Sequence, residues 1–274
     1  MRFIEFLKVL LFGVVEGYTE FLPISSTGHL ILVENLVHLD QPDDFFNVFK
    51  VVIQLGAIFA VVVLYWDRLW PFSKKKTAEK RQEIFTLWLK IAVACVPAVI
   101  IGYPLNDVVD LYLSTPVVIA TTLILFGIAL ILVEKYQGNR EFPIKTTGQI
   151  TYKTALLIGL FQCLALIPGT SRSGATILGA MLLGVSRAAG AEFSFFLGIP
   201  MMCGVSFLKI VKHGFSFTGA QWASLFLGTA VSFVVALFSI RYLMNYIRKH
   251  GYTVFGWYRI GLGLVVLIYF FLIA

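Results

Sequence analysis

Residues 13–32 read GVVEGYTEFLPISSTGHLIL, and residues 159–178 read GLFQCLALIPGTSRSGATIL. Each stretch is an apolar run that Pro, Gly, Ser and Thr interrupt near its middle, and each half is short for a comfortable membrane span. The two stretches align without a gap. Identical residues fall at Gly13 and Gly159, Ser25 and Ser171, Gly28 and Gly174, Ile31 and Ile177, and Leu32 and Leu178. The same interrupted element is therefore predicted twice.

The rest of the chain is dominated by apolar residues. Of its 274 residues, 58% are apolar or aromatic and 14% are charged, which leaves too little polar surface to cover a soluble globule. A helix needs about 20 apolar residues to cross a bilayer. Six stretches qualify, and the Gly and Pro within them, without strict alternation, predict helices rather than barrel strands. They are residues 48–66, 84–103, 116–134, 191–211, 219–240 and 254–274.

The charges of the connections predict the topology, because cytoplasmic loops of membrane proteins are rich in Lys and Arg. Basic connections at 67–83, 135–153 and 241–250 are predicted to be cytoplasmic, and acidic connections around 40–44 and 104–115 to lie outside. Three basic residues on the predicted outer side disagree with this topology: Lys209, Lys212 and His213. The same bias accounts for the net charge of +7, so no nucleic-acid partner is expected.

The two interrupted regions are interpreted as re-entrant helical hairpins that enter and leave by one face. Each half of the chain then has an odd number of crossings, so the second half is inverted relative to the first. The predicted fold is an all-α polytopic membrane protein with one membrane domain, residues 1–274. It consists of repeat one (1–134), a cytoplasmic linker (135–153) and repeat two (154–274), each repeat a re-entrant hairpin plus three transmembrane helices. Ordinary Pro-kinked helices or tight hairpins are the alternative.

The first interrupted region carries two carboxylates. Glu16 and Glu20 are four residues apart, so they share one face of a helix and repel each other in a low-dielectric site. A cation is therefore expected beside them, either Arg172 or a divalent metal, for which hard oxygen ligands favour Mg²⁺ or Ca²⁺. In the alternative interpretation one glutamate is neutral and hydrogen-bonded while the other faces lipid headgroups. Because ionisable residues within membranes are costly, a functional role is favoured.

Three hydroxyl residues follow at Ser25, Ser26 and Thr27, just before an apolar helix. They are ordinary N-cap candidates, but a helix N-terminus also binds anions through its free N–H groups and its dipole. His29 lies three residues after Ser26 and within plausible reach as its general base. The segment therefore has the groups that a nucleophilic centre requires.

The second interrupted region centres on Arg172. An arginine in an apolar sequence needs an anionic partner, and its planar guanidinium suits phosphate oxygens. Hydroxyl and backbone donors around it come from Ser171, Ser173 and Thr176, which together resemble a phosphate cradle without the Walker pattern. The alternative is that Arg172 only pairs with Glu16 or Glu20 and holds the two regions together.

Four motifs resemble those of the undecaprenyl-diphosphate phosphatase family, which is associated with bacitracin resistance. They are EGYTEFLPISSTGH (16–29), VVIQLGAIFAVV (51–62), PGTSRSGATI (168–177) and GVSRAAGAEFSFFLGIPMM (184–202). The resemblance extends along essentially the whole chain. It implies removal of the terminal phosphate of undecaprenyl diphosphate, which gives the carrier lipid of bacterial cell-wall synthesis. It also implies an inverted-repeat fold in the cytoplasmic (inner) membrane, with an active site open to the outer side.

The family pattern places one set of residues in the active site: Glu16, Glu20, Ser26, His29, Arg172, Ser173 and Thr176. The hypothesis is that Ser26 attacks phosphorus while Arg172 binds the terminal phosphate, with direct attack by water as the alternative. A flippase or transporter of lipid phosphate is a different functional class that also uses inverted repeats with broken helices. A structural scaffold leaves the buried ionisable cluster without a purpose. The expected partners are a polyprenyl diphosphate lipid and the bilayer, and a homodimer is left open.

Overall fold

The fold is entirely helical in the residues that the computed structural model describes, which are 2–113, 115–138, 141–214 and 216–272. Eleven α-helices and two short 3-10 helices form within these ranges. The α-helices are α1 (Phe3–Thr19), α2 (Ser26–Leu36), α3 (Asp43–Leu64), α4 (Trp66–Leu69), α5 (Ala78–Tyr112), α6 (Pro116–Gln137), α7 (Tyr152–Cys163), α8 (Arg172–Leu182), α9 (Arg187–His213), α10 (Gly219–His250) and α11 (Thr253–Leu272). Residues 139 and 140 of the predicted linker lie outside the described residues.

Six of these helices are long and apolar enough to cross a membrane, namely α3, α5, α6, α9, α10 and α11. Each of the six predicted stretches overlaps one of them. Large apolar side chains on these helices are exposed, including Phe207 (65%), Phe226 (69%) and Phe238 (66%). Outward-facing apolar side chains on long helices are suited to lipid rather than water. The prediction of a multi-pass, all-helical membrane protein is confirmed.

Helices α5 and α10 extend through most of a segment that the sequence predicts as a connection. The connection expected at 104–115 is mostly helical, because α5 continues through Pro97 and Pro104 to Tyr112. A proline removes one helical hydrogen bond, a loss that neighbouring groups in a membrane bundle can offset. The basic segment expected as a loop at 241–250 forms the last turns of α10. Cations there are favourable because they face the negative end of the helix dipole.

The two interrupted regions have the same local structure at aligned positions. Ser25 caps α2 and Ser171 caps α8, and both residues have a φ of 73°. The side-chain oxygen of Ser25 accepts a hydrogen bond from the N–H of Gly28, and that of Ser171 accepts from the N–H of Gly174. Positive φ is uncommon for residues other than glycine, so its recurrence at both breaks reflects the same tight entry into a helix.

Aligned glycines allow α1 and α7 to approach neighbouring helices closely. A Cβ at Gly13 in α1 would lie 2.8 Å from the carbonyl oxygen of Gly228 in α10. A Cβ at Gly159 in α7 would overlap the carbonyl oxygen of Ala94 in α5. Small residues allow helix backbones to pack at short distance in membranes. These contacts fix the helices that carry the two interrupted regions.

Replacement of Gly159 by alanine should destabilise the protein, because the new methyl group meets backbone atoms that cannot rotate away. Overpacking of this kind costs about 1–3 kcal/mol. Thermal unfolding in detergent measures the effect. Gly204→Ala in α9 is the matched control, since no atom lies within 4 Å of its added Cβ. Equal unfolding temperatures for the two variants would contradict the packing argument.

Candidate active site

The two interrupted regions meet at the carboxylate of Glu20. This residue follows the last turn of α1, and Arg172 and Ser26 are the first residues of α8 and α2. Arg172 Nη2 donates to Glu20 Oε1 at 3.1 Å, and the Ser26 hydroxyl donates to Glu20 Oε2 at 2.6 Å. The Glu20 side chain is 5% exposed and that of Arg172 13%. One buried carboxylate therefore holds a hydroxyl from the first region and a guanidinium from the second.

Arg172 lies against the backbone of α9. Its Nη1 donates to the carbonyl oxygen of Ser194 at 2.8 Å. A Cβ at Gly198 would lie 2.8 Å from the same nitrogen, so the guanidinium packs directly against this glycine. Its Nε is buried and has no hydrogen-bond partner among the residues that the structure describes. Arg172 thus retains one buried donor that the described residues leave unpaired.

The hydroxyl groups of the second region mostly support the backbone. The Ser173 hydroxyl faces the carbonyl oxygens of Glu20 and Leu22, both at 3.2 Å. Thr176 Oγ1 donates to the carbonyl oxygen of Arg172 and lies 2.6 Å from Ser194 Oγ. Of the other predicted substrate-binding residues, Ser25 and Ser171 are N-caps, and Thr27 is exposed.

Helix α2 begins at Ser26 and helix α8 begins at Arg172. These are the two residues that bond the Glu20 carboxylate. The first N–H groups of a helix have no partner within the helix, and the dipole makes this end electropositive. Two such ends at one buried position, together with a guanidinium, form a favourable environment for a phosphate group.

Glu16 is fully buried one turn before Glu20. Within the described part of the chain, neither of its carboxylate oxygens has a hydrogen-bond partner. The charges that act on it include those of Glu20 and Arg172. An unpartnered buried carboxylate next to a second carboxylate fits a cation. Among the described residues, no group of three or more His, Cys, Asp or Glu could hold a metal, so water or substrate oxygens would have to complete the coordination.

The sequence hypothesis that His29 is the general base for Ser26 is not matched by a hydrogen bond between the two side chains. Its Nδ1 lies 2.7 Å from the carbonyl oxygen of Ser25, and its Nε2 lies 2.7 Å from the hydroxyl of Tyr258 in α11. The Ser26 hydroxyl instead donates to Glu20. The first turn of α2 therefore directs the serine towards α1 and the imidazole towards α11.

Arg259 is a residue of the site that sequence reasoning missed. It is fully buried in α11. Its Nη1 donates to the carbonyl oxygen of Pro23 at 3.1 Å, and its Nη2 donates to those of Gly169 and Thr170 at 2.9 Å each. Arg259 therefore joins both interrupted regions to α11. The signal was present in the sequence, because a charged residue within an apolar span is costly and usually has a specific role.

Comparison with known proteins gives consistent matches. A family model described as bacitracin resistance protein BacA matches residues 9–265. A protein named undecaprenyl-diphosphatase from Enterococcus faecalis is 53% identical over 270 residues, which cover 98% of each chain. Proteins of the same name from Lachnoclostridium phytofermentans and Acetivibrio thermocellus are 52% and 49% identical, over 99% and 97% of this chain and 99% and 98% of their own lengths.

Replacement of Arg259 by lysine should lower the unfolding temperature even though the charge is kept. A single ammonium group cannot replace the two nitrogens that donate to Pro23 and Gly169, and each buried carbonyl left unpaired costs about 1–3 kcal/mol. Thermal unfolding in detergent provides the measurement. Arg81→Lys in an exposed segment is the control, and equal stability of the two variants would contradict the anchoring role.

Proposed function

Because this chain belongs to the bacitracin resistance protein BacA family, we propose that the groups around Glu20 remove the terminal phosphate of undecaprenyl diphosphate. The products are undecaprenyl phosphate and inorganic phosphate. This reaction returns the carrier lipid to bacterial cell-wall synthesis and confers resistance to bacitracin. The observation that carries the assignment to this site is the buried Glu20 carboxylate, bonded at once by Ser26 and Arg172.

The terminal phosphate binds between the N-termini of α2 and α8. Arg172 contributes its Nε–H, which has no partner among the described residues, and each helix N-terminus contributes N–H groups that lack a partner within the helix. Phosphoryl transfer depends chiefly on position and on neutralisation of negative charge. The contact of Arg172 with Glu20 and Ser194 holds the guanidinium in place before the substrate arrives.

Ser26 is the nucleophile, and Glu20 accepts its proton. The 2.6 Å hydrogen bond already points the hydroxyl proton at the carboxylate. The Ser26 oxygen forms a bond to the terminal phosphorus, the bond from phosphorus to the bridging oxygen breaks, and undecaprenyl phosphate leaves. Water then attacks the phosphoserine, and His29 takes a proton from this water. The bond from phosphorus to the Ser26 oxygen breaks, Glu20 returns its proton to the serine, and inorganic phosphate leaves. In the alternative route water attacks directly and Ser26 only binds the phosphate.

A divalent cation, Mg²⁺ or Ca²⁺, would be held by Glu16 and Glu20. The Glu16 carboxylate, which has no hydrogen-bond partner among the described residues, fits such an ion. When bound, the cation would neutralise charge on phosphate oxygens and relieve the repulsion between the two glutamates.

Each interrupted region is a re-entrant hairpin, and the two halves of the chain are inverted repeats that interlock. In support, Ser25 and Ser171 share an unusual φ at aligned positions. The first helix of each hairpin also packs on the other half of the chain, α1 on α10 and α7 on α5. The repeats are 1–134 and 154–274, the linker 135–153 is cytoplasmic, and the site opens to the outer side of the inner membrane. A homodimer stays a prediction.

Phosphate release in detergent tests the function, because no transmembrane gradient exists there and a flippase alone would release nothing. We expect wild-type protein to release phosphate from C55 lipid diphosphate. Arg172→Ala and Ser26→Ala should each lower kcat/KM by about 10³-fold or more. Arg81→Ala is the control for loss of a guanidinium. A Ser26→Ala variant with near-normal turnover would exclude the covalent route, and an inactive wild type would favour transport.

Removal of divalent cations should lower both phosphate release and the unfolding temperature. A ligand that binds only the folded state adds about 2.7 kcal/mol at a hundredfold excess over its Kd. Thermal unfolding with chelator and with added Mg²⁺ or Ca²⁺ measures the effect. Glu16→Gln should abolish the metal-dependent shift. Retention of the full shift by that variant would show that the cation binds elsewhere.

A further inference from the structure

Both nitrogens of the His29 ring are engaged in hydrogen bonds. The carbonyl oxygen of Ser25, 2.7 Å from Nδ1, can only accept, so Nδ1 carries a proton. In the neutral imidazole Nε2 is then an acceptor. The hydroxyl of Tyr258, 2.7 Å away, is therefore its donor. The two rings are nearly parallel, with an interplanar angle of 5° and centroids 5.6 Å apart.

The position of Tyr258 is fixed by its neighbour in α11. Arg259 is fully buried and bonds the carbonyl oxygens of Pro23 and Gly169. This contact sets the rotation of α11 relative to both breaks, and it directs the preceding side chain towards the first turn of α2. Tyr258 itself is 47% exposed, whereas His29 is half-buried.

We propose that Tyr258 is a positioning residue for His29 in the dephosphorylation step. The Ser25 carbonyl selects the tautomer with the proton on Nδ1, and the Tyr258 hydroxyl donates to Nε2 and holds the ring with this basic nitrogen towards α11. Because Nδ1 is already bonded to Ser25, a proton reaches or leaves the ring only at Nε2, by exchange with the Tyr258 hydroxyl or after that hydroxyl moves aside. This role rests on the proposed function, because it acts through the step assigned to His29.

Replacement of Tyr258 by phenylalanine keeps the ring and removes the hydroxyl. We expect kcat for phosphate release from C55 lipid diphosphate to fall by about tenfold, with KM within about twofold of wild type, because Tyr258 is not assigned to phosphate binding. Tyr269→Phe, on the same helix eleven residues further along the chain, is the matched control and should keep wild-type kcat.

A double-mutant cycle shows whether Tyr258 acts through His29. In a His29→Gln background, Tyr258→Phe should cause no further loss of kcat beyond about twofold. Losses that multiply in the double variant would overturn the proposal, because they would mean that the tyrosine acts independently of the histidine.

Nitrogen NMR of protein with ¹⁵N-labelled histidine gives a readout that does not depend on turnover. The His29 signals are identified by their absence in His29→Gln. They should report a protonated Nδ1 and an unprotonated, hydrogen-bonded Nε2, and Tyr258→Phe should shift the Nε2 signal. Unchanged signals in that variant would overturn the proposal. An inactive wild type with the expected signals would instead refute the phosphatase function and leave the His29–Tyr258 pair intact.

Discussion

The ion pair between Glu20 and Arg172 is the interaction on which the rest of the site depends. A single charge in a low-dielectric interior is very costly, so a buried guanidinium and a buried carboxylate each require the other. Their 3.1 Å contact joins residues that are 152 positions apart in the chain. It brings the first residue of α8 next to the end of α1, and with it the two helix N-termini that create an electropositive position.

Polar backbone groups at the two breaks also need partners inside the protein. Where a helix is interrupted within a membrane protein, its free carbonyl groups need donors from the surrounding side chains. Arg259 supplies donors to Pro23, Gly169 and Thr170, and Thr122 supplies one to Pro168. These contacts give the carbonyl groups at both breaks hydrogen-bond donors from side chains.

Structural and chemical roles are divided among neighbouring residues. Ser25 and Ser171 cap helices, while the residue after each, Ser26 or Arg172, makes the contact with Glu20. The proposed reaction uses this division, because the caps fix the direction in which the next side chain points. His29 and Tyr258 extend the network from the first break to α11.

The sequence by itself determined the helical membrane class, the six spans and the two interrupted regions, because these depend on local hydropathy and on Pro, Gly and Ser at the breaks. It also selected Glu16, Glu20, Ser26 and Arg172 as a candidate group, whose roles stay predictions. Only the tertiary structure decided that the Ser26 hydroxyl donates to Glu20 and not to His29. It also decided that Tyr258 and Arg259 contact the two interrupted regions. The contacts of Tyr258 with His29 and of Arg259 with Pro23 join residues more than 200 positions apart, and they follow from the rotation of α11 against its neighbours. Local sequence does not encode that rotation, since packing across the whole bundle sets it.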